Sequence, residues 1–294
     1  ERSLSSVLAQ SWRPLELVVV DDGSGDDTPR VLEHFASRAV QAEVAFHWLT
    51  VANGGPGKAR NAGMEAAKGE LFAFLDDDDA WKPEKLARQV PTLQRSDAGV
   101  CFSQYAHSGD TRPKPHESCL RDGWVFETLC SGATRAHLQT LLVRRAVVDK
   151  VGGFAPLFNF EDSEFCLRAS LEFRFVCVCE ALTVIHGAPT TVSREAGLEG
   201  DLKRDELKLR VLEAFAAKHA THARFDPGAL RLFRARIYDE HIKHLLWLGR
   251  VKDAQDTLAR AINECGSQRL LARVSGKIRK ARVLGWFGLK PRKP

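Results

Sequence analysis

The sequence predicts an α/β fold, with a mostly parallel, doubly wound sheet flanked by helices and a helical C-terminal region after it. Three observations carry this. Apolar extended runs alternate with amphipathic stretches up to about residue 105, the connections between them are short, and from about Glu199 onward the pattern is helical with no strand signal. At 294 residues the chain is long enough for one large α/β domain and a smaller appendage. The expected division is 1–195 for the α/β domain and 196–294 for the helical region.

The chain opens on a helix, because Leu4, Val7 and Leu8 have helical spacing. Strands are expected at Leu15 to Val20, Val44 to Leu49, Leu71 to Leu75 and Gly99 to Tyr105. Helices are expected near Thr28 to Ala39, Lys58 to Ala67 and Pro83 to Gln94, with Pro29 and Pro83 suited to first turns. A polar stretch from about Ala106 to Cys119 reads as a surface loop. A strand near Leu138 to Val143, the turn Gly152-Gly153-Phe154 and a helix near Glu161 to Leu171 follow. Strands near Phe173 to Cys179 and Leu182 to His186 close the domain. Further on, Leu245 to Gly249 with Ala254, Leu258 and Ala261 resembles a single helical hairpin of tetratricopeptide type.

Composition excludes several classes. Hydrophobic residues at 44% and charged residues at 28% rule out a disordered or fibrous chain. No apolar run approaches the roughly 20 residues that span a bilayer, and no signal-peptide layout opens the chain, so a cytoplasmic location is expected. The sole Met is Met64 and the chain begins at Glu1, so a native N-terminal segment is expected to be missing. Seven cysteines without CxxC or zinc-like spacing imply free thiols, with Cys177 and Cys179 on one face of a strand as small apolar groups. Nine basic residues and no acidic one lie from Arg269 to Pro294, so the +5 net charge belongs to the tail and the rest carries about −4. That tail also holds Val283, Leu284, Trp286, Phe287 and Leu289, which makes peripheral contact with an anionic membrane an expectation; no nucleic-acid partner is expected.

In an open α/β sheet, ligands bind beyond the carboxyl ends of the strands, where loops converge and helix N-termini present free amides. Three such loops are unusual. One is Asp21-Asp22-Gly23-Ser24-Gly25-Asp26-Asp27, another runs from Asn53-Gly54-Gly55 through Gly57, Lys58 and Arg60 to Asn61, and the third is Asp76-Asp77-Asp78-Asp79. Four consecutive carboxylates repel one another, and a hard cation, Mg²⁺ or Mn²⁺, relieves this while taking phosphate oxygens as further ligands. A solvated acidic turn capping the helix at Pro83 is the alternative for Asp79. The glycine loop brings backbone close to a diphosphate, and Lys58 and Arg60 supply positive charge. It is not a P-loop: Ala52 and Ala59 stand where that motif needs Gly and Ser or Thr.

Taken together, SVLAQSWRPLELVVVDDGSGDDT, NGGPGKARNAGMEAAKGELFAFLDDDDAWKPEKL, LVRRAVVDKVGGF and FEDSEFCLRA resemble the family two glycosyltransferases in order and content over about residues 3 to 186. The resemblance implies a GT-A type, Rossmann-like fold and an inverting transfer from a nucleotide sugar, UDP-sugar first among donors, to a saccharide or lipid-linked acceptor. It implies donor contacts from Asp21, Asp22, Gly57, Lys58, Arg60, Asp76 and Asp77, a metal held by Asp78 and Asp76 with His186 as an addition, and Asp162 as catalytic base with Glu161 beside it. Relatives begin with an apolar strand in the middle of the sheet, and this chain starts after it. Two other readings stay open: an inactive scaffold module, and a nucleotidyltransferase. For Asp162 a first-turn acid favouring the helix dipole is the alternative, with Glu164 and Arg168 as a surface pair.

Overall fold

The computed structural model describes residues 1–110, 122–157, 159–186 and 197–286. Helix α1 (Arg2–Leu8) leads into β1 (Leu15–Asp21), α2 (Thr28–Gln41) and β2 (Val44–Thr50). The two strands run parallel, Leu15 opposite Val44 through Asp21 opposite Thr50. Then follow α3 (Pro56–Ala66), β3 (Leu71–Ala73), β4 (Ala80–Trp81), α4 (Lys85–Gln94) and β5 (Val100–His107). After α5 (Phe126–Ser131), a 3-10 turn (Leu138–Thr140) delivers β6 (Leu141–Arg144), α6 (Arg145–Val151), α7 (Glu161–Glu172) and β7 (Phe175–Ile185).

The sheet is mixed and lies in two pieces. β1 and β2 pair only with each other, and the second sheet has the order β3-β6-β5-β7-β4. Within it β5 and β7 are parallel, whereas β3 with β6, β5 with β6 and β4 with β7 are antiparallel. Alternation of side chains carries no strand direction, which is why the sequence suggests a more parallel sheet than the one that forms. β1 and β3 each end a sheet, yet Leu15, Leu17, Leu71 and Ala73 pack on one common cluster. Glu16 Oε2 also accepts the amides of Lys68 (2.7 Å) and Gly69 (3.3 Å), tying β1 to the approach to β3.

Several boundaries differ from expectation. The strand expected to run to Leu75 ends at Ala73, and the two strands expected beyond Phe173 are one, β7. α4 starts at Lys85 rather than Pro83. Its buried Leu86, Val90 and Leu93 recur at i, i+4 and i+7 and join Val7, Trp81, Cys101, Leu142 and Leu182 in the core. Each such side chain contributes roughly 1.5–3 kcal/mol on burial. Glu164 and Arg168 are no surface pair. Both are largely buried, bonded twice at 2.7 and 2.8 Å, and Arg168 also donates to the carbonyls of Val151, Gly152 and Gly153. The guanidinium thus fastens α7 onto the Gly-Gly turn that precedes it. Cys101, Cys130, Cys166 and Cys265 are buried free thiols, whereas Cys179 is exposed.

A second compact unit comprises, of the described residues, 126–132 and 197–286. It holds α5 with α8 (Gly197–His219), α9 (Pro227–Trp247), α10 (Val251–Cys265) and α11 (Arg269–Trp286). Gly249, at φ 81°, turns α9 into α10 where the hairpin is expected. Leu202, Ile242, Leu245, Leu246 and Ala254 form its core with Val274, Ile278 and Ala281 of α11. At the other end Phe126 stacks on Phe215 at 6.2 Å and Arg236 Nη1 donates to the Cys130 carbonyl at 2.8 Å.

Candidate active site

The loops after β1, β2 and β3 are held by their own polar side chains. Asp21 ends β1 buried; its Oδ1 accepts the Ser24 amide at 2.8 Å, and hydrogen bonding from Ser24, its side chain first and its amide next, lowers the Asp21 pKa. Asp22 accepts the amides of Gly54 (2.8 Å) and Gly55 (2.9 Å), so it shapes the glycine loop with both oxygens. Gly55, at φ 84°, caps α3, and Pro56 occupies the first turn.

α3 is a bracket. A Cβ on Gly57 would stand 2.8 Å from the Ala155 carbonyl oxygen, so only glycine lets the helix approach that segment this closely. One turn on, Asn61 grips the backbone of Phe154 by both groups, donating to its carbonyl at 2.9 Å and accepting from its amide at 2.8 Å. Between them Arg60 gives Nη1 to Glu161 Oε1 at 2.6 Å and Nη2 to Asp76 Oδ1 at 2.9 Å. Burial opposes the Arg60 charge, but Asp76 and Glu161 outweigh it and hold its pKa above the usual arginine value. Lys58 is exposed on the first turn.

The acidic run is divided in its duties. Asp76 spends its second oxygen on Gln139 Nε2 at 2.5 Å. Asp79 is buried, and its Oδ1 accepts the backbone amide of His186 at 2.9 Å; it caps no helix. The His186 ring turns Nδ1 to the Val184 carbonyl at 3.2 Å, leaving Nε2 as its other nitrogen. The carboxyl of Asp78 is pushed above its usual range by burial first, then by the charges of Asp77 and Asp76. Its backbone carbonyl accepts from Arg2 at 2.8 Å.

Opposite lies the start of α7. Asn159 (φ 65°) and Phe160 (φ 102°) adopt left-handed backbone that L side chains resist, and they fix the direction in which Glu161 and Asp162 leave. Glu161 is buried with Oε2 lacking a protein partner, a costly arrangement for a charged oxygen. Asp162 is partly exposed, with Oδ1 accepting the Ser163 amide at 2.5 Å. His137 lies within its field: burial lowers the imidazole pKa and the Asp162 charge partly restores it. Tyr105, near the end of β5, packs edge-on against His137 at 4.4 Å.

One network therefore joins the acidic run, α3 and the first turn of α7. Residues 1–156 match the glycosyl transferase family 2. The chain belongs to that family. Among family 2 relatives, it is 34% identical over 106 residues to the putative teichuronic acid biosynthesis glycosyltransferase TuaG of Bacillus subtilis, covering 36% of this chain and 41% of that protein. The chain spans between 29% and 52% of the length of this and two other curated relatives that it matches. Among solved structures, S. aureus TarS 1–349 in complex with UDP-GlcNAc superposes with a TM-score of 0.65 at 18% identity, covering 99% of this chain and 88% of that one. The mannosyltransferase PcManGT of Pyrobaculum calidifontis, in complex with GDP-Man and Mn²⁺, gives 0.60 at 19%, covering 95% and 75%. At these identities the likeness establishes the GT-A glycosyltransferase fold.

Three residues beside the predicted site escape a reading of the sequence: Asn61, His137 and Gln139. Asn61 and Gln139 meet partners 93 and 63 residues away in the chain, and a 3-10 turn places His137 and Gln139. Only the Asn at the end of the glycine loop gave a local hint.

Proposed function

We propose that this glycosyltransferase domain moves a sugar from a nucleotide-sugar donor, UDP-sugar first, to an acceptor hydroxyl on a saccharide or lipid-linked carrier. The product context is cell-surface polysaccharide or glycoconjugate synthesis, in the cytoplasm or at the inner face of its membrane. The observation that supports this most is the double engagement of Arg60. It ties Asp76, at the donor-side acidic run, to Glu161, whose neighbour Asp162 remains partly exposed.

In this reading Asp162 takes the proton of the acceptor hydroxyl as its oxygen bonds to the anomeric carbon from the face opposite the diphosphate. The bond to the diphosphate oxygen breaks with its electron pair, and configuration inverts in one displacement. Glu161 does not share the proton transfer: it neutralises Arg60 and steadies the helix start. Asp21, Asp22 and Gly57 shape the donor loops, and Lys58, exposed on the first turn of α3, faces the phosphates with the free amides there.

Among the described residues no group of three or more His, Cys, Asp or Glu is arranged to hold a metal unaided. Mg²⁺ or Mn²⁺ needs fewer, because it commonly takes one or two carboxylates and completes its shell with phosphate and water. Asp78 fits that part: burial first, and then the neighbouring charges of Asp77 and Asp76, disfavour its carboxylate, and a cation would relieve that repulsion. Asp77 and His186 Nε2 are the further donors, and Asp76 joins them by releasing Arg60 or Gln139. Such an ion would stabilise charge on the departing diphosphate.

A screen of nucleotide sugars with Mn²⁺, following release of nucleoside diphosphate, tests the reading. Release that depends on an acceptor saccharide is expected. Pyrophosphate in its place would mean nucleotidyl transfer, and absence of both donor binding and release would mean a scaffold.

A further inference from the structure

Helix α11 carries two faces with different employment. Leu271, Val274, Ile278 and Ala281 are 3% exposed or less and are spent on the core of the helical unit. The side away from them exposes Arg269, Arg273, Lys277 and Lys280, and Arg279 and Arg282, also exposed, lie further round the helix; the six cations fall within the 14 residues from 269 to 282, about 21 Å of helix. Arg269, Arg273 and Lys277 follow one another at i, i+4, while Lys277 with Lys280 and Arg279 with Arg282 stand at i, i+3. Like charges at these spacings destabilise a helix. No acidic residue occurs from Arg269 onward to balance them.

We propose that α11 is a docking surface for an anionic lipid bilayer, held by its outward cations and not by insertion of its apolar face. This goes beyond the proposed transfer reaction and does not depend on it. The chemistry favours lipid over nucleic acid. The exposed Val283 is followed in sequence by Leu284, Trp286, Phe287 and Leu289, side chains that gain from a headgroup boundary and nothing from a phosphate backbone. Small residues, Ala272 and Gly276, lie exposed between the cations, so the long side chains can flank the helix as it lies down.

Each Lys or Arg near an anionic surface raises partition roughly fivefold, and the attraction fades within a Debye length. The test is co-sedimentation of the full chain, without donor, on vesicles of phosphatidylcholine alone and mixed with phosphatidylglycerol, across a salt series. Binding is expected only to the mixed vesicles and should fall steeply with salt. The triple change Arg273→Gln, Lys277→Gln, Lys280→Gln should weaken it about a hundredfold while circular dichroism stays unchanged and the melting temperature does not fall. Equal binding to neutral vesicles overturns the proposal, as does salt-insensitive binding by the unaltered protein, which needs no variant to fold. Full binding by a normally folded triple variant does the same. Loss of binding on removing residues 287–294 alone would assign the contact to the apolar end. Tighter binding to duplex DNA than to mixed vesicles at the same salt would assign the cations to nucleic acid.

Discussion

Lys85 lies fully buried in α4, its Nζ 4.4 Å from the centre of the Trp81 ring and 3.4 Å from the Leu141 carbonyl, with no carboxylate among these partners. Burial brings its pKa down to about 7. The unfolded chain keeps that proton to about pH 10.4. Between these values the unfolded state binds one more proton than the folded state, so stability rises with pH by up to roughly 1.4 kcal/mol per unit. Below the folded pKa both states are protonated and the contribution is flat. Lys85→Met is therefore expected to melt higher near neutral pH and to lose this slope, measured by denaturant titration across the window. Asp162 offers the other decisive single residue. As general base it should carry about 10² to 10⁴ fold of turnover, against roughly 0.3–1 kcal/mol for a mere first-turn charge. Asp162→Asn should keep donor affinity and melting temperature while turnover collapses; turnover within about threefold of the parent would move the base elsewhere.

At the scale of elements, α3 decides most. Its glycines and basic residues announce a phosphate-facing loop in the sequence, but its second task, gripping the segment before α7, depends on partners 93 and 101 residues away. Local pattern cannot contain such contacts. Gly57→Ala puts a carbon 2.8 Å from a backbone oxygen, so the first turn must shift. Calorimetry should find weaker binding of nucleoside diphosphate, and the melting temperature should fall; unchanged values for both would mean the segment yields freely. α7 shows the same limit from the other side. Its amphipathic period is legible, whereas the burial of Glu164 and Arg168 follows from the Gly-Gly turn that Arg168 meets with three carbonyl contacts. α5, at six residues, is too short for periodicity to speak.

For the molecule as a whole, the alternation of strands and helices was readable, whereas the place of residues 126–132 was not. Residues 126–132 belong with the C-terminal helices although they are numbered among the α/β elements, because Phe126 and Cys130 are buried there. A single cut cannot separate the units. A fragment of residues 1–195 should expose Phe126 and be recovered aggregated or with a lowered melting temperature, whereas the full chain stays monodisperse by light scattering. A fragment as stable as the parent would show that α5 finds other cover.

The shared guanidinium of Arg60 has a consequence for heritable change. Replace Asp76 or Glu161 by a neutral residue and Arg60 still faces one acid; replace Arg60 and two acids, one of them buried, face each other uncompensated. Drift at this site therefore has a permitted order. An acid can be lost first and the arginine afterwards, so descendants lacking the arginine should already lack one of the acids, and a lineage holding both acids should hold the arginine too.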